Sequence, residues 1–402
     1  MNVESIFPKA HIPYGTWGAS YFPAWQSSPL AEVNIGQFAG EAMAYIMGKR
    51  KVPMNSLDYL VSGSTIPWHW KFWGSPFLAS CAGQRVPGYH LEQACATGLK
   101  AIFAAAGAVQ GGLANVSGVL TFDRTSDSPV GVFPERRSYE RTVALSDVWD
   151  NFGFDPATGG AMIATAGNAA RKHKIDRKEV DELTFLRYKQ YFQALDSGFL
   201  AKVLVPLEVL NLQGKVMGKI DSDAGVRSIS LEALHSQREL DTCVTSGTQT
   251  HASDGMATML VTTKEKAREL SSQPDIDIQI IGLVEARALP SLMAEAPAMA
   301  VKKLLQQTGL TMNDIAVVKD HNPFAVNDAI FAKELNYDWH NMNKTGCPLV
   351  WGHPQGPTLT RLSIEALQET VDLGGGYALV FGCAAGDVGI AGIFKVSEGG
   401  KA

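Results

Sequence analysis

No two of the five cysteines in this 402-residue chain are spaced as Cys-x-x-Cys. Cys81, Cys95, Cys243, Cys347 and Cys383 are odd in number and far apart. That argues against a metal centre such as zinc and against a disulfide framework, and for reduced thiols in a cytoplasmic enzyme. Charge is sparse too: 19% of residues are charged, and the formal net charge is −5. Nucleic-acid binding usually wants a basic face, so that partner is not expected. An anionic small molecule stays open, because a local basic patch can oppose the net sign. The opening "MNVESIFPKAHIPYG" has no basic start followed by an apolar run, so no signal peptide is expected. One charge-free stretch is long, "AIFAAAGAVQGGLANVSGVLTF" at 101–122. Gln110, Gly111, Gly112 and Asn115 interrupt it. It reads as a buried helix, a Gly-Gly turn and a buried strand, so no membrane span is expected.

Apolar residues make up 46% of the chain, enough for a sizeable core. The length allows one large domain or two to three ordinary ones. A unit of turn, helix, Gly-rich turn and strand ends in "VSGVLTF" and the polar loop "DRTSDSP". The pattern returns near the C-terminus. "GHPQGPTLTRLSIEALQET" predicts a helix with Leu362, Ile364, Ala366 and Leu367 on one face. "DLGGG" ends it, and "YALVFGCAAGDVGIAGIFKV" supplies two strands around a turn. Two such units predict a duplicated α/β architecture. The N-terminal half takes 1–122 with 247–274, and the C-terminal half takes 275–402. Residues 123–246 differ, holding "PERRSYERT", "LHSQRELD" and an amphipathic helix from near Asp176. This insertion reads as a lid over the site or as a surface domain without a binding role.

Four chemically active residues fall at turns of these units: Cys95, His321, His353 and Cys383. Each has an inert reading, as core filling for the thiols and as turn residues for the histidines. Together they suggest chemistry. Cys95, in "HLEQACATGLKAIFAAAG", stands at a helix N-terminus, where free N–H groups favour thiolate and can face an oxyanion. A nearby histidine completes the activation. A second thiol can act as acid or base at a carbon next to a carbonyl. Two imidazoles can donate to the enolate oxygen. The set suits Claisen chemistry.

These segments resemble the thiolase family. "EQACATGLKAI" is similar to its nucleophile segment, "WGHPQGPTLTR" to its Gly-His-Pro segment and "FGCAAGDVG" to its C-terminal Cys-x-Gly segment. "HNPFAVNDA" stands in the place of Asn-Glu-Ala-Phe. "MIATAGNAARKHKIDRKEVDE" resembles the loop-domain helix, and "SLMAEAPAMAVKKLL" the second-half Met-x-x-x-Pro helix. The resemblance implies a five-layer α/β/α/β/α fold of two duplicated halves, with a covering loop domain and a homodimer core. It implies Cys95 as acyl carrier, His353 as its activator and Cys383 as acid/base. His321 and His353 would form one oxyanion site, and the backbone N–H groups of Cys95 and Ala385 the other. Met162, Met293 and Phe324 would line the pantetheine and acyl channel, and Ser253 would contact CoA. No permanent cofactor is implied; coenzyme A and acyl-CoA are substrates.

The chain departs from the family at His321, which replaces Asn. Branches with His here often work with a small partner subunit carrying an OB-fold and a zinc ribbon. They include archaeal members and the thiolase of anaerobic toluene degradation, which cleaves benzoylsuccinyl-CoA. Ala385 stands where the family prefers Gly, and "GTQTHASDGMA" shortens its Gly-Asn-Ala-Ser segment. "IPWHWKFWGSPF", 66–77, holds three of the eight tryptophans. It reads as a dimer-interface or core cluster, or as a wall for a bulky aromatic acyl group. Two other functions compete with a thiolase. One is a decarboxylating condensing enzyme of the ketoacyl-synthase type, which needs no second thiol. The other is a non-catalytic scaffold of the same fold.

Overall fold

The computed structural model describes residues 3, 5–137, 140–211 and 213–398. Ser138 and Tyr139 of "PERRSYERT" lie outside the described residues. The first sheet orders its strands Trp17–Ala19, Gly255–Thr262, Val116–Asp123, Tyr59–Gly63, Gly88–Leu91. The second orders them Ile276–Arg287, Val388–Glu398, Gly376–Ala384, Ile315–His321. Val116–Asp123 and Gly255–Thr262 are buried at every position, which is why their sequences read as apolar runs without alternation.

The two sheets repeat one pairing pattern. Val116–Asp123 runs parallel to Tyr59–Gly63 and antiparallel to Gly255–Thr262. Gly376–Ala384 runs parallel to Ile315–His321 and antiparallel to Val388–Glu398. Helix Thr97–Gln110 precedes the first of these central strands and helix Gln355–Asp372 the second. Both helices lie between the sheets and pack on each other. Helix Ile35–Lys49 covers the outer face of the first sheet, and Ala296–Thr308 that of the second. The result is an α/β/α/β/α stack.

Helix Gln355–Asp372 is more enclosed than its sequence suggests. Every residue from 355 to 370 is buried, not one face alone. Its two sheets and its partner helix leave no side open, so its charged residues are buried with it. Arg361 pairs with Asp223 at 2.7 and 2.9 Å and with Glu365 at 2.9 Å. Its guanidinium lies 4.1 Å from the Trp351 ring centroid. Removing one partner from a buried pair of this kind strands a charge, which costs several kcal/mol.

Asp223 belongs to the insertion, which leaves the first half after Val116–Asp123 and returns at Gly255–Thr262. The insertion contains helices Met162–His173 and Arg177–Asp196 and two hairpins, Gly131–Arg137 with Glu140–Ser146 and Leu207–Leu210 with Val216–Ile220. Asp176 caps the longer helix by accepting from Lys178 N. Among the described residues no helix is long and apolar enough to cross a membrane.

The central helices touch at Gly98. A Cβ there would stand 2.6 Å from Thr360 N and 2.9 Å from Gly356 O. Backbone cannot yield as a flexible side chain does, so Gly98→Ala should cost about 1–3 kcal/mol by overpacking. Urea unfolding checks this. A change within about 0.5 kcal/mol, the range of neutral surface substitutions, would show that the helices part freely.

Candidate active site

Cys95 sits in a turn that the chain must be forced to make. Ala94, just before it, has φ +42°. A non-glycine residue in that region stores about 1–3 kcal/mol and persists only when its surroundings over-determine it. Thr97 does this here. Its Oγ1 accepts from Gln93 N and donates to Ala94 O, both at 2.8 Å. Helix Thr97–Gln110 starts at once, so the thiol stands at its N-terminal end.

His353 reaches the thiol from the other half. Gly352 before it has φ +95°, and a Cβ there would lie 2.0 Å from Ser253 Oγ, so only glycine fits. His353 N donates to His251 O at 2.9 Å, which pins the turn. The ring is oriented by Thr358. Thr358 Oγ1 spends its one hydrogen on Pro354 O at 2.6 Å. It therefore accepts from His353 Nδ1–H at 2.7 Å. That assignment leaves Nε2 as the free base, 3.1 Å from Cys95 Sγ.

His321, at the end of its strand, brings its ring centroid to 4.2 Å from that of His353. Its ring lies across Gly382, where a Cβ would stand 2.6 Å from His321 Cβ. Both its ring nitrogens are buried without a hydrogen-bond partner among the described residues. Cys383 is fully buried, and Asn327 Nδ2 donates to its sulfur at 3.3 Å. The Ala385 N–H faces Cys95 Sγ. The turn carrying Ala385 is held by Asp387, which accepts from Ser291 N and Leu292 N at 3.1 Å each.

The electrostatics differ from the sequence expectation. Burial pushes the Cys95 thiol up to about 12. The N–H groups of Cys95 and Ala385 offset part of this, and the Asp123 carboxylate adds to it. Loss of water outweighs the helix N-terminus, so the resting group is a thiol and not a thiolate. Burial also holds His353 down, to about 3, and lowers His321 well below its ordinary value, with His353 adding to the effect. Burial raises Cys383 well above the ordinary thiol range, and negative charge on Cys95 or Asp320 would push it the same way. The site is a set of neutral groups in contact. A proton moves when a substrate carbonyl receives the sulfur, not before.

Met162 opens helix Met162–His173 and is half-buried, Met293 is buried, and the two segments pack together. Phe324 is buried and bridges Gln249. Ser253 is fully buried beneath Gly352, its hydroxyl 3.5 Å from His251 O, and presents no surface to a ligand. The aromatic segment divides. Trp68 is buried against Phe77, Phe122 and His90. Trp70, Phe72 and Trp73 are exposed. Cys95, His321 and His353 offer ligand atoms within 4.8 Å of one another, so they could hold a soft divalent ion, which would displace the thiol proton.

Sequence reasoning missed Thr358, Asn327 and His251. A threonine in the first helical turn after His-Pro was the one available signal for Thr358. Nothing local marks the other two, which act across elements. Thr358→Val removes the acceptor of Nδ1–H and leaves the tautomer unfixed. An unsatisfied buried donor costs about 1–3 kcal/mol, so kcat should fall roughly 5- to 100-fold with KM little changed. Steady-state kinetics on the folded variant check this; an unchanged kcat would mean the imidazole is held by other contacts.

Known proteins place the family and the fold. The family description "Thiolase, N-terminal domain" matches residues 25–265, and "Thiolase, C-terminal domain" matches 276–396. The chain is 28% identical to the human mitochondrial 3-ketoacyl-CoA thiolase over 58% of this chain and 59% of that one. It is 26% identical to the β-ketoadipyl-CoA thiolase of Pseudomonas putida, over 77% of this chain and 79% of that one. It is 24% identical to the acetyl-CoA acetyltransferase of Syntrophomonas wolfei, over 94% and 95%. In structure, the human mitochondrial 3-ketoacyl-CoA thiolase superposes with TM-score 0.88 at 22% identity, covering 98% of this chain and 100% of that one. Bacillus anthracis acetyl-CoA acetyltransferase superposes with TM-score 0.87 at 23% identity, over 98% and 100%. With both halves matched in order around a Cys95–His353 contact, the chain belongs to the thiolase family and is an acyltransferase.

Proposed function

We propose that this protein cleaves a 3-oxoacyl-CoA with coenzyme A through an acyl group carried on Cys95, or runs the reverse Claisen condensation. The observation that carries this reading is Cys95 Sγ at 3.1 Å from an oriented His353 Nε2, with a second thiol, Cys383, held by Asn327. In the cleavage direction Sγ attacks the 3-oxo carbon and its proton passes to His353 Nε2. The oxyanion forms beside the N–H groups of Cys95 and Ala385. Collapse breaks the bond between C2 and C3, and its electron pair enters the departing thioester enolate. A ring N–H of His321 is available to that enolate oxygen, and the Cys383 thiol protonates C2. The CoA thiol then gives its proton to the Cys383 thiolate and attacks the acyl-Cys95 carbonyl. Cys95 leaves and recovers its proton from His353. All groups return to their starting state. A CoA complex is known for the human mitochondrial enzyme's structure, which supports CoA as the substrate carrier here.

Cys383 favours this reading over a decarboxylating condensing enzyme, which has no use for an oriented second thiol. A scaffold has no use for the whole set. The finer reading, a bulky or aromatic acyl group such as benzoylsuccinyl-CoA, rests on His321. The exposure of Trp70, Phe72 and Trp73 gives it no further support. The small OB-fold and zinc-ribbon partner subunit rests on His321 too. A homodimer is supported by the edge strand Gly88–Leu91, whose Tyr89 is exposed with Phe72 and Trp73 nearby in the chain. Free thiols throughout support a reducing compartment such as the cytoplasm.

An endpoint assay by mass spectrometry tests the function. The protein meets CoA and a panel of 3-oxoacyl-CoA esters, including β-ketoadipyl-CoA and benzoylsuccinyl-CoA. Two new acyl-CoA products are expected from at least one ester, and none with Cys95→Ala. Products that persist in Cys95→Ala would overturn the acyl-cysteine route. Release of carbon dioxide from a malonyl thioester, with no cleavage of any ester, would select the decarboxylating alternative.

A further inference from the structure

Helix Gln355–Asp372 starts with Pro354 at its N-cap, and no side chain there accepts a backbone N–H. The acceptor comes from the other half of the molecule. Asp123 ends strand Val116–Asp123 and is 1% exposed. Its Oδ2 accepts from Gly356 N at 2.6 Å and from Thr65 Oγ1 at 2.8 Å. Its Oδ1 accepts from Thr65 N at 2.8 Å and Ile66 N at 2.9 Å. A Cβ on Gly356 would stand 2.8 Å from Oδ2, so the glycine is what lets the carboxylate reach the helix. Gly356 lies three residues after His353, and the same carboxylate lies close enough to Cys95 to act on its thiol. One side chain thus joins the half that carries the nucleophile to the turn that carries its base.

We propose that Asp123 is a positioning residue for the Cys95–His353 pair: its ionised carboxylate fixes the His353 turn where Nε2 can take the thiol proton. This deepens the thiolysis reading and rests on it. Three of the four partners are backbone N–H groups that can only donate, and the ionised form accepts from all four at once. Protonation turns one oxygen into a donor that only the Thr65 hydroxyl can accept, by giving its own hydrogen to Gln355 Oε1 at 3.3 Å, and it removes the charge that draws the Gly356 N–H. Burial raises this carboxyl to about 6 against the pull of its hydrogen bonds from Ile66, Thr65 and Gly356. A carboxyl raised in this way is half ionised at about 6, so the hold builds as the pH rises through that value and is lost as it falls. Of the titratable groups nearby, Cys95 is acted on by its charge, His353 stands three residues before its partner Gly356, and His90 bonds Ser64 next to Thr65. Arg124, next in the chain, turns its guanidinium to the carbonyls of Leu30, Ala31 and Val33. Cys95 at about 12, His353 at about 3 and His90 at about 4 lie away from that value, and loss of the inflection in Asp123→Asn assigns it to Asp123.

The test is the rate at which iodoacetamide alkylates Cys95, followed against pH and read by peptide mass. It needs no acyl substrate, so it reports on the pair even if no 3-oxoacyl-CoA is cleaved. Wild type should show an inflection near 6. Asp123→Asn keeps the shape but turns an amide N–H2 toward donors. It should lose the inflection and lower kcat about tenfold or more, with KM for CoA within about twofold. Thr65→Val removes one hydroxyl donor and should move the inflection upward, which keeps the proposal testable if Asp123→Asn does not fold. A folded Asp123→Asn with wild-type kcat and pH profile would overturn the proposal. So would a Thr65→Val variant whose inflection stays in place.

Discussion

Two helices from opposite halves of the chain meet end against end at a pair of glycines. Gly98 is pressed against Thr360 and Gly356 O, and Gly356 is pressed against Asp123, Phe122 O and Ser64. A side chain at Gly98 would hold the helices apart, and one at Gly356 would push its helix off the strand end at Phe122 and Asp123. Because they are not held apart, the turn before one helix and the turn before the other share a space a few ångströms wide. Cys95 occupies the first turn and His353 the second. The sheets, the insertion and the buried Arg361–Asp223 pair keep that approach rigid, since none of these elements can shift without opening a close-packed core.

The closeness has an electrostatic consequence. Packing the helix ends together removes water from both thiols and both imidazoles, and desolvation then dominates every group in the site. Neutral groups in direct contact replace the thiolate that a helix N-terminus alone would favour. Such a site spends nothing on holding a charge at rest and reserves its N–H groups for charge that develops on the substrate. The strained Ala94 turn fits the same design, because the contacts that force it also fix the sulfur. Below the site, Asp320 is buried with both oxygens unpartnered among the described residues, and burial and Asp328 push its carboxyl well above the ordinary range. Polarity here is kept without free charge.

Much of this was legible in the sequence because its signals are local. Buried strands announce themselves as apolar runs, and the turns at Cys95, His353 and Cys383 are bracketed by small residues that only close approach requires. The duplicated halves could be read from the order of helix, turn and strand. The residues that escaped notice act across the fold. Asn327 reaches Cys383 from 56 residues away in the chain, and Asp123 reaches Gly356 from 233. No spacing rule connects such partners. The thiol's resting state escaped for a related reason: a helix N-terminus is visible in sequence, but the packing that dries it is not. Helix Gln355–Asp372 showed one apolar face, yet lies buried on every side because Arg361 and Glu365 neutralise each other out of water.

These contacts fit Cys95 to carry an acyl group. Incubating the protein with acetyl-CoA alone, quenching in acid and mapping peptides by mass tests it most directly. One acetyl group is expected, carried on the peptide containing Cys95, absent from His353→Ala and removed by added CoA. An acetyl group found only on another cysteine, or an unmodified Cys95 in a folded protein that still forms product, would contradict it.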